Sequence, residues 1–177
     1  MKFFTPELYL RFNSQDDDIA DQAWESAIKA YHEHLDGIRN QMSQQVKGLL
    51  ELCLHDCELL GWDENIEPDP RFSAGPLPVW SAFSVLSLRC DGEVVSLNYV
   101  LWDKVRHRPA RKDWPYLKSH TSWLYDEVDV TGGEHGRFVH RILFSDGTTA
   151  EIPFAMVHVH TVAWEPAQRA AHLPQSA

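Results

Sequence analysis

An α+β fold is what these 177 residues predict, with N-terminal helices packed on one face of a mostly antiparallel β-sheet of six or seven strands. Three observations carry the prediction. Apolar residues recur at helical spacing from Ala20 to Cys53, and the second half alternates at the period of a strand. Turn signals at Asp91-Gly92 and Ser145-Asp146-Gly147 then fold that half into hairpins. Helices first and strands afterwards is the order of an α+β chain rather than of alternating βα units. The length suits a single domain, taken as 1–164, with a helical segment at about 5–54 and a sheet segment at about 57–162. The remainder, 165–177, is small, polar and marked by proline, and is expected to be a poorly ordered tail.

Thr5-Pro6-Glu7 starts a short helix: a capping hydroxyl, proline at the first helical position and an acid in the first turn. It reaches about Phe12, and the acidic stretch Asn13 to Asp18 separates it from the next. A single helix from Asp16 to Gly61 would be ~69 Å long at 1.5 Å per residue. A compact chain of this size has a radius of gyration of only ~16 Å. The pattern must therefore break, and Asp36-Gly37 is the expected place, with Gly37 just past the first helix end. Helices at about 17–35 and 39–54, antiparallel to each other, follow. His32, Glu33, His34 and Asp36 form a solvated polar face rather than a metal site.

Residues 64–78 hold four prolines and a glycine and read as a loop, a possible flap. Val79 to Asp103 is a hairpin with a two-residue turn, which sets Leu88 opposite Val95, Leu86 opposite Leu97 and Ala82 opposite Leu101. Residues 104–115 interrupt the sheet with a basic cluster, Lys104, Arg106, Arg108, Arg111 and Lys112. Thr121 to Val130 is the next strand, with Trp123 and Tyr125 on one face and Leu124, Val128 and Val130 on the other; Thr131 to Gly136 turns the chain back. In the last hairpin a three-residue loop, with Gly147 left-handed, pairs Ile142 with Ala150, His140 with Ile152, Phe138 with Phe154 and Arg141 with Glu151. A two-residue loop would put Arg141 opposite Ile152, and a one-residue slip flips a strand's whole apolar set. The longer loop is chosen for that reason. It buries His140 among Phe138, Ile142, Ile152 and Phe154.

The 44% hydrophobic and 24% charged fractions are those of an ordinary globular chain. A net charge of -10 argues against nucleic acid or an anionic membrane and suits a basic protein partner. Cys53, Cys57 and Cys90 make an odd set without a CxxC pair, so neither a disulfide framework nor a zinc knuckle is indicated. The opening MKFFTPELYLRF lacks the apolar core of a signal peptide, and no stretch approaches the ~20 apolar residues of a membrane span. The cytoplasm is the expected location.

No glycine-rich phosphate loop, GxSxG or HExxH occurs, and no cofactor is expected. Three groups of residues are candidates. His55-Asp56 is either a ligand-binding pair or a helix terminus, where histidine complements the dipole. Arg106, Arg108 and Arg111 are either an anion site or a solvated connection. His158 and His160, at i and i+2 on a strand, point to one side ~6.6 Å apart, near enough to share a metal. Two imidazoles make a weak site, and His140 is ~20 Å from His158 along a straight strand. Two solvated edge histidines are therefore expected, without stoichiometric metal.

The segments MKFFTPELY, LHDCELLGW and WLYDEVDV followed by FVHRILFSDGTTAEIPF resemble uncharacterised bacterial families of unknown function, some of whose relatives are immunity-protein-like. The resemblance implies that the second helix stops near Leu54 and that Cys57 to Asp63 is extended; it assigns no catalytic residue. The expected function is non-catalytic binding or protein interaction. A toxin-neutralising immunity protein and a metal-dependent enzyme using His158 and His160 are the rival readings.

Overall fold

The computed structural model describes residues 1–14, 18–66, 82–116, 119–131 and 137–164. The flap within 64–78, apart from its first three residues, therefore lies outside the described residues. So do most of the 131–136 turn and the 165–177 tail.

Helix α1 (Pro6–Ser14) starts as the sequence predicts, the Thr5 hydroxyl accepting from the Leu8 N–H at 3.2 Å. Helix α2 (Asp18–Ile38) buries Ala20, Trp24 and Tyr31 along one stripe. The break after it falls close to Gly37, but Gly37 does not make it. The helix runs through that residue, which is not among the glycines of positive φ. The chain tightens into a 3-10 turn at Arg39–Gln41, and Ser43 caps the short helix α3 (Gln44–Leu50) by accepting from Val46 N–H at 3.3 Å. A serine cap, not a left-handed glycine, sets the boundary. Helix α3 ends at Leu50, short of the predicted 54.

The strands are β1 (Glu58–Ile66), β2 (Phe83–Cys90), β3 (Glu93–Leu101), β4 (Arg106–Arg108), β5 (Trp123–Thr131), β6 (Arg137–Phe144) and β7 (Thr149–Ala163). They form one antiparallel sheet ordered β1-β2-β3-β7-β6-β5, with β4 beside β7. Both hairpin registers agree with the sequence: Leu88↔Val95 and Leu86↔Leu97 across the first, His140↔Ile152 and Arg141↔Glu151 across the second. Asp91 and Gly92 both have positive φ, as a two-residue hairpin turn demands. Gly147, at φ 83°, closes the three-residue loop.

The two edges of this sheet curl toward each other. Glu58 of β1 bridges Ser122 at the start of β5, Asp56 and Leu59 N–H donate to Trp123 and Thr121 carbonyls, and Trp123 N–H donates to Cys57. Inside lie Leu86, Leu97, Tyr99, Trp123, Val128, Ile142, Ile152 and Phe154, joined by Met42 after the 3-10 turn and by Val46 and Leu49 of α3. On the outer face of β5, a second cluster packs Phe4, Trp24 and Tyr31 against Tyr125.

Three sequence expectations are corrected. A β-bulge after Trp123 turns Tyr125 away from it, so Trp123 shares the core face with Val128 while Tyr125 joins the helices. The basic connection contains a strand, β4, hydrogen-bonded to β7. Cys57 and Cys90 are joined in a disulfide, their Cα atoms 4.7 Å apart, because Glu58 pairs with Arg89 and so aligns the two cysteines across β1 and β2. An odd count does not exclude one bond; Cys53 remains as the exposed free thiol. Among the described residues no helix is long and apolar enough to cross a membrane.

Candidate functional site

His55 and Asp56 do not end a helix, because α3 has stopped at Leu50. They form the middle of a tight turn, Cys57 N–H donating to Leu54 carbonyl at 3.0 Å, with Asp56 at φ 64°. Such a turn calls for positive φ at its third residue, and aspartate is among the few side chains that tolerate it. The β5 bulge completes the corner. It turns the carbonyl of Leu124 toward His55, whose Nδ1 lies 2.6 Å away and donates to it. That bond leaves Nε2 as the outward nitrogen, 3.4 Å from the Asp56 carboxylate. Both side chains are largely exposed, at 45% and 67%.

Tyrosines wall the corner. The His55 ring lies 4.9 Å from Tyr125, Tyr125 packs edge-on against Trp24 at 4.7 Å, and Tyr9 stacks on Trp114 at 5.7 Å with Tyr116 edge-on at 6.0 Å. Burial, followed by neighbouring phenols and the Asp56 carboxylate, pushes Tyr9 above the ordinary phenol value; burial and Asp56 do the same to Tyr125. The phenols stay neutral and can both donate and accept. Sequence reasoning singled out His55 and Asp56 but not Tyr9, Tyr116 and Tyr125, which only the docking of α1 and the β5 bulge bring together. The tryptophans of this corner, Trp24 and Trp114, are buried whereas its three tyrosines are half-buried, so tyrosine forms the part that reaches solvent.

The arginines do not converge on an anion site. Arg106 is held by Glu151 at 2.8 Å and Asp103 at 2.5 Å, and Arg111 by Asp113 at 2.9 Å and Glu7 at 3.2 Å. Arg108 alone of the three has no ion pair among the described residues. Arg106 instead ends a ladder across the outer face of the sheet. Glu151 also takes Arg141 at 3.1 Å, Arg141 reaches Asp129 at 3.3 Å, and Asp129 gathers Lys2 and, at 2.9 Å, His34. Burial opposes ionisation of Asp129 and Glu151, but the hydrogen bonds and charges of these cations outweigh it and hold both below the carboxylate range. Beside the ladder, buried Glu127 accepts three successive backbone N–H groups, those of Lys2, Phe3 and Phe4, each at 2.7 Å.

His140 is fully buried, as the register requires, and the core supplies it with partners. Nε2 lies 2.9 Å from Asp126 and Nδ1 2.8 Å from the Tyr99 hydroxyl, while Trp123 Nε1–H donates to the second Asp126 oxygen at 2.9 Å. One arrangement satisfies every group: Nε2–H to the carboxylate, and Tyr99 O–H to Nδ1. Burial, then Asp126, raises the Tyr99 phenol well above its usual value. Tyr99 and His140 are closed to solvent and Asp126 is partly exposed, so the relay ties the core to the edge of the sheet with every polar group satisfied.

His158 and His160 lie on the exposed outer face of β7, far from His140, whose partner strand is left at Phe154. Among the described residues no three His, Cys, Asp or Glu side chains converge on one point. Comparison of the chain with known families, with curated proteins and with solved structures returned no match.

Proposed function

We propose that this protein is a non-catalytic interaction module that docks a basic protein partner on the Tyr9, Tyr116 and Tyr125 cluster beside Asp56. The observation that carries the reading is the exposed Asp56 carboxylate, held at positive φ against neutral phenols, in a chain of net charge -10. Tyrosine offers large contact area with few rotors, and a carboxylate set among aromatic rings suits a lysine or arginine side chain. A toxin-neutralising immunity protein is the more specific form of the same reading, supported by the acidic surplus and by the resemblance of LHDCELLGW and FVHRILFSDGTTAEIPF.

The test is a photo-crosslinking amino acid at position 9 in the native host, with Lys29 on the exposed face of α2 as the control position. The expected result is one basic protein, captured from position 9 and lost in the Asp56→Lys background. Equal capture from both positions, or capture that survives Asp56→Lys, refutes the reading.

A further inference from the structure

Strand β7 outruns its neighbour on one side. β6 accompanies it only from Leu143↔Thr149 to Phe138↔Phe154, whereas β3 follows its other edge as far as Glu93↔Ala163. Among the described residues, the edge from Ala155 to Ala163 on the β6 side has no strand partner. Exposed strand edges are normally guarded by charged residues or proline, since their free N–H and C=O groups recruit other strands. These nine residues carry neither, although 24% of the chain is charged.

The outer row of this edge is Met156, His158, His160 and Val162, all exposed, while Val157 beneath it is buried. Met156 and Val162, 38% and 61% exposed, are two of the few large hydrophobic side chains the described surface displays. Across β3 the histidines face neutral groups, His158 opposite Asn98 and His160 opposite Ser96. Among the described residues the patch thus combines apolar surface, a strand edge without a strand partner and two exposed imidazoles.

A two-fold axis between antiparallel strands sets each residue opposite one an even number of positions away. The outer row of one copy therefore always continues the outer row of the other. With the axis at Val159, Met156 meets the partner's Val162 and His158 meets the partner's His160. Four imidazoles then gather in a patch roughly 5 Å by 6.6 Å. An axis at His158 or His160 would set the other histidine against Met156 or Val162. From these relations we infer that β7 pairs with a second copy of this chain about Val159, and that the four histidines bind a zinc-class divalent ion between the copies. One chain supplies two ligands, below the three or four of a tight site; the second copy supplies the rest. Neutral imidazole is the ligand form, and the bound dication offsets repulsion between two acidic chains.

The experiment uses untagged Cys53→Ser protein, which removes the free thiol as a competing ligand. Mass is measured by light scattering after size exclusion, in chelator and with half an equivalent of zinc per chain, alongside calorimetric zinc titration. The expected result is a zinc-dependent dimer with one ion per two chains. His158→Gln with His160→Gln should abolish the dependence on zinc. Met156→Lys with Val162→Lys, both at exposed positions, should prevent dimerisation while leaving the melting temperature unchanged. A chain that stays monomeric in zinc, that binds one ion per chain without dimerising, or that dimerises equally after either double substitution overturns the inference.

Discussion

Replacing Gly147 by alanine probes the last hairpin where its turn meets the rest of the protein. Two effects add there. At φ 83° an L side chain carries a conformational penalty of about 1 kcal/mol relative to glycine. The new Cβ would also lie 2.6 Å from Cγ and 2.8 Å from Cε2 of Trp114, inside any real contact distance. Trp114 cannot easily yield, because it is buried, stacked on Tyr9, and donates from Nε1 to the Ser145 carbonyl of the same turn at 3.0 Å. Overpacking of this kind costs about 1–3 kcal/mol, so the total should be about 2–4 kcal/mol. Gly92 is the control: its φ is 85°, but a Cβ there meets nothing within 4 Å, and alanine should cost only about 1 kcal/mol. Urea melts of both variants measure the difference. Adding Gly147→Ala to Trp114→Ala, where the clash is gone, should cost no more than the Gly92 change. Equal losses at positions 92 and 147, or a full penalty in the Trp114→Ala background, would refute the reasoning.

Gly37→Ala should stabilise the protein by up to about 1 kcal/mol, because Gly37 is helical with open space around its Cα; a loss in chemical melts would restore the left-handed reading. Asp129 and Glu151 have folded-state pKa values below their unfolded ones, so the stability they confer is complete above the ordinary carboxylate range and is lost as pH falls below it. Melting temperatures across that interval should fall less steeply in Arg141→Met than in the wild type, since Arg141 supports both acids. Reducing the Cys57–Cys90 bond, which closes a separation of 33 residues, should remove between about 3 and 4 kcal/mol on a chain-entropy account. Melts with and without dithiothreitol test this, and a Cys90→Ser variant insensitive to the reductant identifies the bond.

The hairpin registers were legible because turn chemistry and apolar parity agree independently on them. Asp91-Gly92 and Ser145-Asp146-Gly147 each admit few loops, and only one choice keeps each apolar row intact. Bulges were not legible. The bulge beside Trp123 changes no composition, yet it reverses the face of Tyr125 and thereby creates the His55 corner. The partners of His140 were not read from the sequence, although strand alternation in the first hairpin sets Tyr99 on the face of Leu97 and a buried hydroxyl needs a partner. Which partner depends on the β3-β7-β6-β5 order, which local pattern does not encode. The disulfide was hidden in the same way, since it follows from pairing β1 with β2 across residues 67–81.

The Glu127 clamp sets a timetable for the nascent chain. Its carboxylate holds backbone groups 123 to 125 residues earlier, so those residues wait for Glu127 to be synthesised, roughly 6–25 s at ordinary elongation rates. During that interval the aromatic stripe of Phe4, Trp24 and Tyr31 has no β5 to cover it. Helices α1 and α2, made well before β5, are therefore among the last elements to find their place. Until Tyr125 and Glu127 arrive, that stripe is open surface for a chaperone or for a neighbouring chain on the same message.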